Sequence, residues 1–213
     1  MKIGQYNLPP WDKFEKMVDG IFERQYYTNH GPLLSKLENE MEAFFNVKHA
    51  ICMTNSDIAK MITLKALDIT GEVLVPAFSN ISNAQSTIWS SLTPIFYDNS
   101  DAKSFNGIPN QRNLTKNTSA IIGTANFGDA EHFYELIEFS KENNLKLILD
   151  SEDIIGQEYK NIKQGGFGNV QIFSFNEKSS ILNGSDGACV ATNDDRLAAR
   201  LRNIRSSYGA RQK

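Results

Sequence analysis

The sequence predicts an α/β fold in which a mostly parallel sheet is covered by helices on both faces. Two observations indicate this class. Short, continuously apolar runs recur along the chain, and segments with helical spacing separate them. Strands that are buried on both faces appear as unbroken apolar runs, and helices between successive strands are typical of parallel connections. The chain of 213 residues can bury one substantial core, so we expect a single domain over residues 1–213.

Two amphipathic helices are predicted at the start of the chain. Apolar residues recur at helical spacing from Trp11 to Phe22 and again from Leu34 to Phe44, with the turn TNHGP between them. No apolar signal core precedes them, and no stretch approaches the roughly 18 apolar residues that span a bilayer. We therefore expect a cytoplasmic protein with no membrane partner.

Strands and further helices alternate after this pair. Helices are predicted from about Asp57 to Leu67, from about Ala130 to Asn143, and after the cap residue Asn193. The polar, turn-rich stretch at 98–119 is expected to be a long surface excursion. The predicted strands are, in chain order, HAICM, EVLVP, PIFYD, SAIIGT, LKLILD, VQIFSF and ACVAT.

Charge and motifs exclude several classes of function. A net charge of −3 gives no overall attraction to nucleic acid, and there is no strong local basic patch. Cys52 and Cys189 lack metal-ligand spacing, so we expect two buried structural thiols and no metal site. The Walker loop, G-x-G-x-x-G, H-E-x-x-H and G-x-S-x-G are absent, which argues against P-loop, Rossmann, zincin and hydrolase sites.

The residues that follow the predicted strands are the candidates for a ligand site. In open α/β sheets, ligands bind beyond the carboxyl ends of the strands. We therefore expect one crevice to be lined by residues 54–57, 76–80, 124–128, 150–153 and 176–179.

Several long stretches resemble the large domain of the DegT/StrS-type sugar aminotransferases. They are YYTNHGPLLSKLENEMEAFFNVKHAI, EVLVPAFSNISNAQSTIWSSLTPIFYD, LKLILDSEDIIGQEYKNIKQGGFGNVQIFSF and GACVATNDDRLAARLRNIRSSYG. The resemblance implies a three-layer αβα sandwich with a mostly parallel mixed sheet, as in fold type I enzymes. It also implies pyridoxal 5′-phosphate chemistry on a nucleotide-linked keto sugar. Members continue into a smaller carboxy-terminal domain, so we expect residues 1–213 to be the large domain alone.

Two residues keep the identities that the resemblance implies for a cofactor site. Asp150, at the end of LKLILD, matches the carboxylate that holds the pyridine nitrogen protonated, and Ser174 matches a phosphate-binding serine. Without a cofactor, Asp150 could instead accept hydrogen bonds from the backbone.

Other family positions are substituted. An ungapped match places Ser179 where the family has its Schiff-base lysine, and Lys178 lies one residue early. Lys178 is either an aldimine lysine in a shifted loop or a solvated loop cation. In the phosphate loop, Ser56 replaces a glycine and Asp57 a threonine. A carboxylate about 4 Å from a phosphate costs roughly 4 kcal/mol at a near-surface effective dielectric. Asp57 could equally be a favourable helix-start residue.

The ring and phenolate positions are also changed. Asn80 stands where an aromatic residue usually stacks on the ring, and Asp153 stands where a glutamine meets the phenolate oxygen. Both could line a remodelled pocket for something small and polar or cationic, and neutral drift after loss of the cofactor would give the same residues.

Three hypotheses follow. The favoured one is a non-catalytic relative in nucleotide-sugar or polysaccharide biosynthesis, without bound cofactor, which binds a small molecule or pairs with an active homologue. The second is an active transaminase that uses pyridoxal phosphate and Lys178. The third is a cofactor-free enzyme or sensor that binds a nucleotide sugar. The resemblance implies a dimer, either a homodimer or a heterodimer with an active homologue.

Overall fold

A computed structural model describes residues 8–98, 106–126, 132–159, 162–163, 165–176 and 186–207. The helices are α1 Trp11–Arg24, α2 Pro32–Phe45, α3 Ser56–Ala66, α4 Ile81–Trp89, α5 Phe133–Glu142 and α6 Asp195–Ser207. The main strands are β1 His49–Met53, β2 Glu72–Pro76, β3 Thr93–Tyr97, β4 Thr118–Thr124, β5 Lys146–Asp150, β8 Val170–Ser174 and β9 Ala188–Thr192. The short strands β6 Glu158–Tyr159 and β7 Ile162–Lys163 form a separate antiparallel pair.

The seven main strands form one mixed sheet in the order β1-β9-β8-β5-β4-β2-β3. The pairs from β8 through β5, β4 and β2 to β3 are parallel, whereas β9 is antiparallel to both of its neighbours. Helices cover both faces of this sheet. The predicted three-layer α/β class with a mostly parallel mixed sheet is therefore confirmed.

Alternate residues of the strands contribute side chains to two apolar cores, one on each face of the sheet. On one face, Phe45 of α2 stacks on Phe173 of β8 with ring centroids 4.0 Å apart, and α5 contributes Leu136. On the other face, Leu64 of α3 and Leu201 of α6 pack against the remaining strand residues. Both cores hold the carboxyl ends of the parallel strands at one edge, where the candidate site lies.

Two sequence expectations need correction. Helix α4 was not predicted from the pattern, because its buried face is polar (Ser82, Asn83, Ser86, Thr87). The stretch at 98–119 is not wholly a surface excursion. Apart from Asp98, its described part begins at Asn106, which is buried, and its last two residues already belong to β4.

Helix α2 protects the sheet edge formed by β1. Glu38 accepts a hydrogen bond from the backbone N–H of Cys52 at 2.9 Å, and Glu42 accepts one from Ala50 at 3.2 Å. Arg205 of α6 forms an ion pair with Glu38 and donates to the carbonyl of Cys52 at 2.9 Å. An open strand edge invites pairing with other chains, and these side chains occupy its donors.

Both cysteines are buried, as expected, and they face each other across the β1–β9 pair. The neighbouring thiol of Cys52 and burial together raise the pKa of the Cys189 thiol well above its usual value. Among the described residues, no helix is long and apolar enough to cross a membrane.

Candidate functional site

A polar cavity of about 230 Å³ opens at the carboxyl ends of β2, β4, β5 and β8. Residues from four of the five predicted strand ends therefore meet there, in the order in which their strands lie in the sheet. Amides, a hydroxyl and carboxylates dominate this surface. The lining residues are Asn80, Thr124, Ala125, Asn126, Asp150, Glu152 and Asn176.

Lys60 forms an ion pair with Asp150, one of the residues that line this cavity. Its Nζ is 2.8 Å from Oδ2 of Asp150 and donates to Oγ of Ser82 at 2.7 Å. The Lys60 side chain is 1% exposed and the Asp150 side chain 7% exposed. Three elements meet at this ammonium group: α3 supplies Lys60, α4 supplies Ser82 and β5 supplies Asp150. The carboxylate that matches the family's pyridine-nitrogen partner thus already has a cation within the same chain.

Asn80 caps the amino-terminal end of α4. It is the N-cap residue, and its side-chain oxygen accepts a hydrogen bond from the backbone N–H of Ser82 at 3.1 Å. An amide in this role satisfies a donor that the first helical turn would otherwise leave open. The residue that stands in the ring-stacking position therefore presents an amide at the cavity wall and fixes the helix that carries Ser82.

Asn126 is held at the cavity by two loops. Its backbone N–H donates to the side-chain oxygen of Asn106 at 3.0 Å, and its side-chain nitrogen donates to the carbonyl of Phe78 at 3.0 Å. On the other side of the cavity, Asn176 donates to the carboxylate of Glu152. Asparagine amides thus connect the loop after β4 to the loop after β2, and the residue after β8 to the turn after β5.

The predicted phosphate position lies at the start of α3. Ser56 opens the helix and Asp57 follows in its first turn. The side chain of Asn55 caps this helix and accepts from the backbone N–H of Ile58 at 2.8 Å. Ser174, at the end of β8, is 1% exposed, and its hydroxyl has no hydrogen-bond partner among the residues that the structure describes.

Three predicted site residues are described incompletely or not at all. Lys178 and Ser179 both lie outside the described residues. Asp153 belongs to the short 3-10 turn Glu152–Ile154 that follows β5, and its side chain is outside the description. The part of the chain that the structure describes holds no group of three or more His, Cys, Asp or Glu side chains that could bind a metal ion.

The described residues fit pyridoxal 5′-phosphate poorly. The orphan hydroxyl of Ser174 suits a phosphate acceptor. Against this, Asn55 already engages a helix-start donor, Asp57 places a carboxylate in the first turn of α3, and Asp150 is neutralised by Lys60. The phosphate of such a ligand would therefore face a helix start that carries the carboxylate of Asp57. Its cationic ring nitrogen would face Asp150, which is already paired with Lys60.

A larger, mainly apolar cavity of about 590 Å³ opens beside the first, between α2, β1, α3 and α6. Leu37, Met53 and Ile62 line it, and Arg205 and Ser206 form its polar end. His30 joins these two polar residues: its Nδ1 accepts from Arg205 at 3.1 Å and its Nε2 is 2.6 Å from Oγ of Ser206. An imidazole Nδ1 that accepts from a guanidinium leaves the ring proton on Nε2, so this histidine does not act as a base toward Ser206.

Sequence reasoning missed Lys60, Ser82 and Asn106. One signal for Lys60 was present, because it lies on the buried stripe of α3 with Ala59, Thr63 and Leu64. A lysine on such a stripe is rarely fully buried unless it is paired, and its partner was separately predicted to lie at a strand end.

The family model of the DegT/DnrJ/EryC1/StrS aminotransferase family matches residues 11–213. The chain is 31% identical to the GDP-perosamine synthase of Caulobacter vibrioides over 179 residues. This alignment covers 82% of this chain and 48% of that enzyme. The structure of DesI in the presence of its TDP-sugar product superposes with a TM-score of 0.89 at 27% identity, over 96% of this chain and 52% of that chain. Helicobacter pylori PseC, an aminotransferase of pseudoaminic acid biosynthesis, gives a TM-score of 0.85 at 25% identity, over 100% and 57% of the two chains. The chain spans about half the length of the relatives that it matches.

Proposed function

The chain belongs to the DegT/DnrJ/EryC1/StrS aminotransferase family, and we propose that it is a non-catalytic, sugar aminotransferase-like member of that family. Its relatives include nucleotide-sugar aminotransferases, which favours a role in nucleotide-sugar or polysaccharide biosynthesis. In this proposal the crevice no longer performs pyridoxal phosphate chemistry, and the protein acts by binding a small molecule or a protein partner.

The observation that carries this proposal is the ion pair between Lys60 and Asp150. In a pyridoxal phosphate enzyme, the carboxylate that contacts the ring nitrogen keeps it protonated and so makes the ring an electron sink. Here the same carboxylate is held by a buried ammonium group of its own chain. Asn80 and Asp57 support the same conclusion, because each stands at a position that the family uses for the cofactor and each lies at the start of a helix.

The small molecule that suits the cavity best is the sugar part of a nucleotide sugar. Asn80, Asn126 and Asn176 offer both donors and acceptors, as Thr124 does, and Glu152 offers an acceptor. Such groups match sugar hydroxyls. The described lining contains no Lys, Arg or His, so a diphosphate would have to lie outside this cavity. If the protein acts by binding a small molecule, we propose that it is a cofactor-free enzyme or sensor that binds a nucleotide sugar.

The competing function is an active transaminase in which Lys178 forms the aldimine. We expect purified protein incubated with pyridoxal 5′-phosphate to show no absorbance band of an internal aldimine, and no labelled peptide after borohydride reduction. A control with free pyridoxal phosphate and a lysine-containing peptide establishes that trapping works. A reduced adduct mapped to Lys178 would overturn the non-catalytic proposal and restore the enzyme.

The partner is proposed to dock on the outward face of α4. Ile81, Ile88 and Trp89 lie at helical spacing on one side of this helix, and they are 72%, 56% and 67% exposed. The opposite, polar face of α4 is the buried one. Contiguous exposed apolar residues mark interaction sites, and a second copy of this chain or an active homologue would cover them.

Light scattering at micromolar concentration tests this interface. Wild-type protein is expected to have the mass of a dimer, and Trp89→Glu is expected to have the mass of a monomer, because a buried charge without a partner disfavours association. Lys141→Glu, on the exposed surface of α5, is the control and should remain dimeric. A monomeric wild-type protein that stays monomeric when mixed with an active homologue would exclude both forms of the partner proposal.

A further inference from the structure

The most unusual feature of the crevice is a fully buried lysine at the base of the site. Lys60 is 1% exposed, and its ammonium group pairs with the carboxylate of Asp150 and donates a hydrogen bond to Ser82. Lysine is among the residues that are least often fully buried. Burial of an ammonium group is tolerated when an opposite charge and hydrogen bonds compensate for the lost hydration, and both are present here.

The position of Asp150 determines what this ammonium group replaces. Asp150 is the last residue of β5, its carbonyl accepts from the N–H of Ala125, and one side of its carboxylate lines the polar cavity. A carboxylate that is 7% exposed is strongly favoured by a nearby cation, because an unpaired buried charge is costly. Either a ligand in the cavity supplies that cation or the protein does.

We propose that Lys60 is a built-in counter-ion that takes the electrostatic place of a protonated ring nitrogen, so that Asp150 is satisfied without any cofactor. The proposal rests on the non-catalytic function and names the residue that determines the ligand preference of the site. Lys60 sits on α3 and is not one of the described residues that line the cavity, so the cavity itself remains open to an uncharged ligand. Its specificity therefore moves from cationic heterocycles to neutral polar molecules.

Without Lys60, we expect Asp150 to pair with a cation that binds in the cavity. The variant Lys60→Ala leaves Asp150 buried without its partner, next to the space that the lysine chain occupied. Its Tm is expected to fall by roughly 6–20 °C relative to the wild type, the shift that follows from breaking a buried pair in a chain of this size. N-methylpyridinium, a pyridinium heterocycle that is cationic at every pH and has no phosphate or aldehyde, is the probe that should restore part of this loss.

The experiment is thermal unfolding of four proteins near pH 6 with and without N-methylpyridinium chloride, with sodium chloride matching the ionic strength. We expect N-methylpyridinium to raise the Tm of Lys60→Ala and to leave the wild type unchanged. The double variant Lys60→Ala/Asp150→Asn should not respond, because it has no carboxylate to satisfy. Lys65→Ala, an exposed lysine on the same helix, is the matched control and should behave as the wild type.

Three results would overturn the proposal: an unchanged Tm for Lys60→Ala, no response of that variant to N-methylpyridinium, or an equal response in the wild type. If Lys60→Ala does not fold, Lys60→Met/Asp150→Asn and Lys60→Met are compared instead. Recovery of folding in the double variant then supports the counter-ion role, and its failure contradicts that role. These measurements contain no pyridoxal phosphate, so they can fail independently of the absorbance test of the proposed function.

Discussion

Asp150→Asn is expected to lower the free energy of unfolding by about 3–5 kcal/mol at neutral pH, the usual cost of breaking a buried pair by removing one partner. The substitution keeps the shape of the side chain and leaves an acceptor for Lys60, so it isolates the loss of charge. The ammonium group of Lys60 then stays 1% exposed, with Ser82 and a neutral amide as its partners. Urea unfolding followed by circular dichroism measures the difference.

The sign of the pH dependence separates a lost charge pair from a packing defect. In Asp150→Asn, the folded state holds the proton on Lys60 less firmly than the unfolded state does. The unfolded state therefore binds more protons, and the stability of the variant rises with pH above neutrality. In Lys60→Met the buried carboxylate favours its protonated form, so the stability of that variant falls as the pH rises from about 4.

Two variants with opposite pH slopes would identify the pair as electrostatic. Glu138→Gln removes one partner of the exposed pair with Lys141, and it should change the unfolding free energy by less than about 1 kcal/mol at every pH. Equal losses in Asp150→Asn and Glu138→Gln, or parallel pH slopes in the two buried-site variants, would mean that Lys60 and Asp150 are not a compensating pair.

The sheet was the part of the fold that the sequence predicted well. The main strands other than the edge strand β3 are apolar runs because both of their faces are buried, and that signal does not depend on the rest of the molecule. Helix α4 shows the opposite case. Its buried residues include Asn83 and Thr87, and its exposed residues include Ile88 and Trp89, so the usual apolar stripe points outward. A periodicity argument that assumes an apolar interior cannot find such a helix.

The site was predictable to the extent that strand ends determine it. Asn80, Asp150 and Asn176 could be placed around one crevice, because the carboxyl ends of neighbouring parallel strands meet. Lys60 could not be placed there. Whether a lysine on a helix is solvated or buried depends on a partner distant in the sequence, and that partner is known only when α3 has been packed against the sheet. Asn106 was missed for the same reason, because its contact with Asn126 joins two loops.

Glu38→Ala is expected to destabilise the fold by about 3–5 kcal/mol, because it removes the charge partner of Arg205 at the β1 edge. Both side chains are 12% exposed. The truncation leaves the guanidinium without its carboxylate and the N–H of Cys52 without its acceptor. An unsatisfied buried donor costs about 1–3 kcal/mol by itself, so the two effects act in the same direction.

The edge position of β1 adds a second measurable consequence. With Glu38 gone, α2 loses one of its two carboxylate contacts to the backbone of this strand, since only Glu42 still accepts from Ala50. Exposed edge donors promote pairing between chains, so Glu38→Ala should aggregate earlier on heating than the wild type does. Glu40→Ala removes an exposed partner of Lys36 on the same helix and should shift stability by no more than about 0.5 kcal/mol. If the two alanine variants unfold at the same urea concentration, the Glu38–Arg205 pair does not hold α2 and α6 to the edge of the sheet.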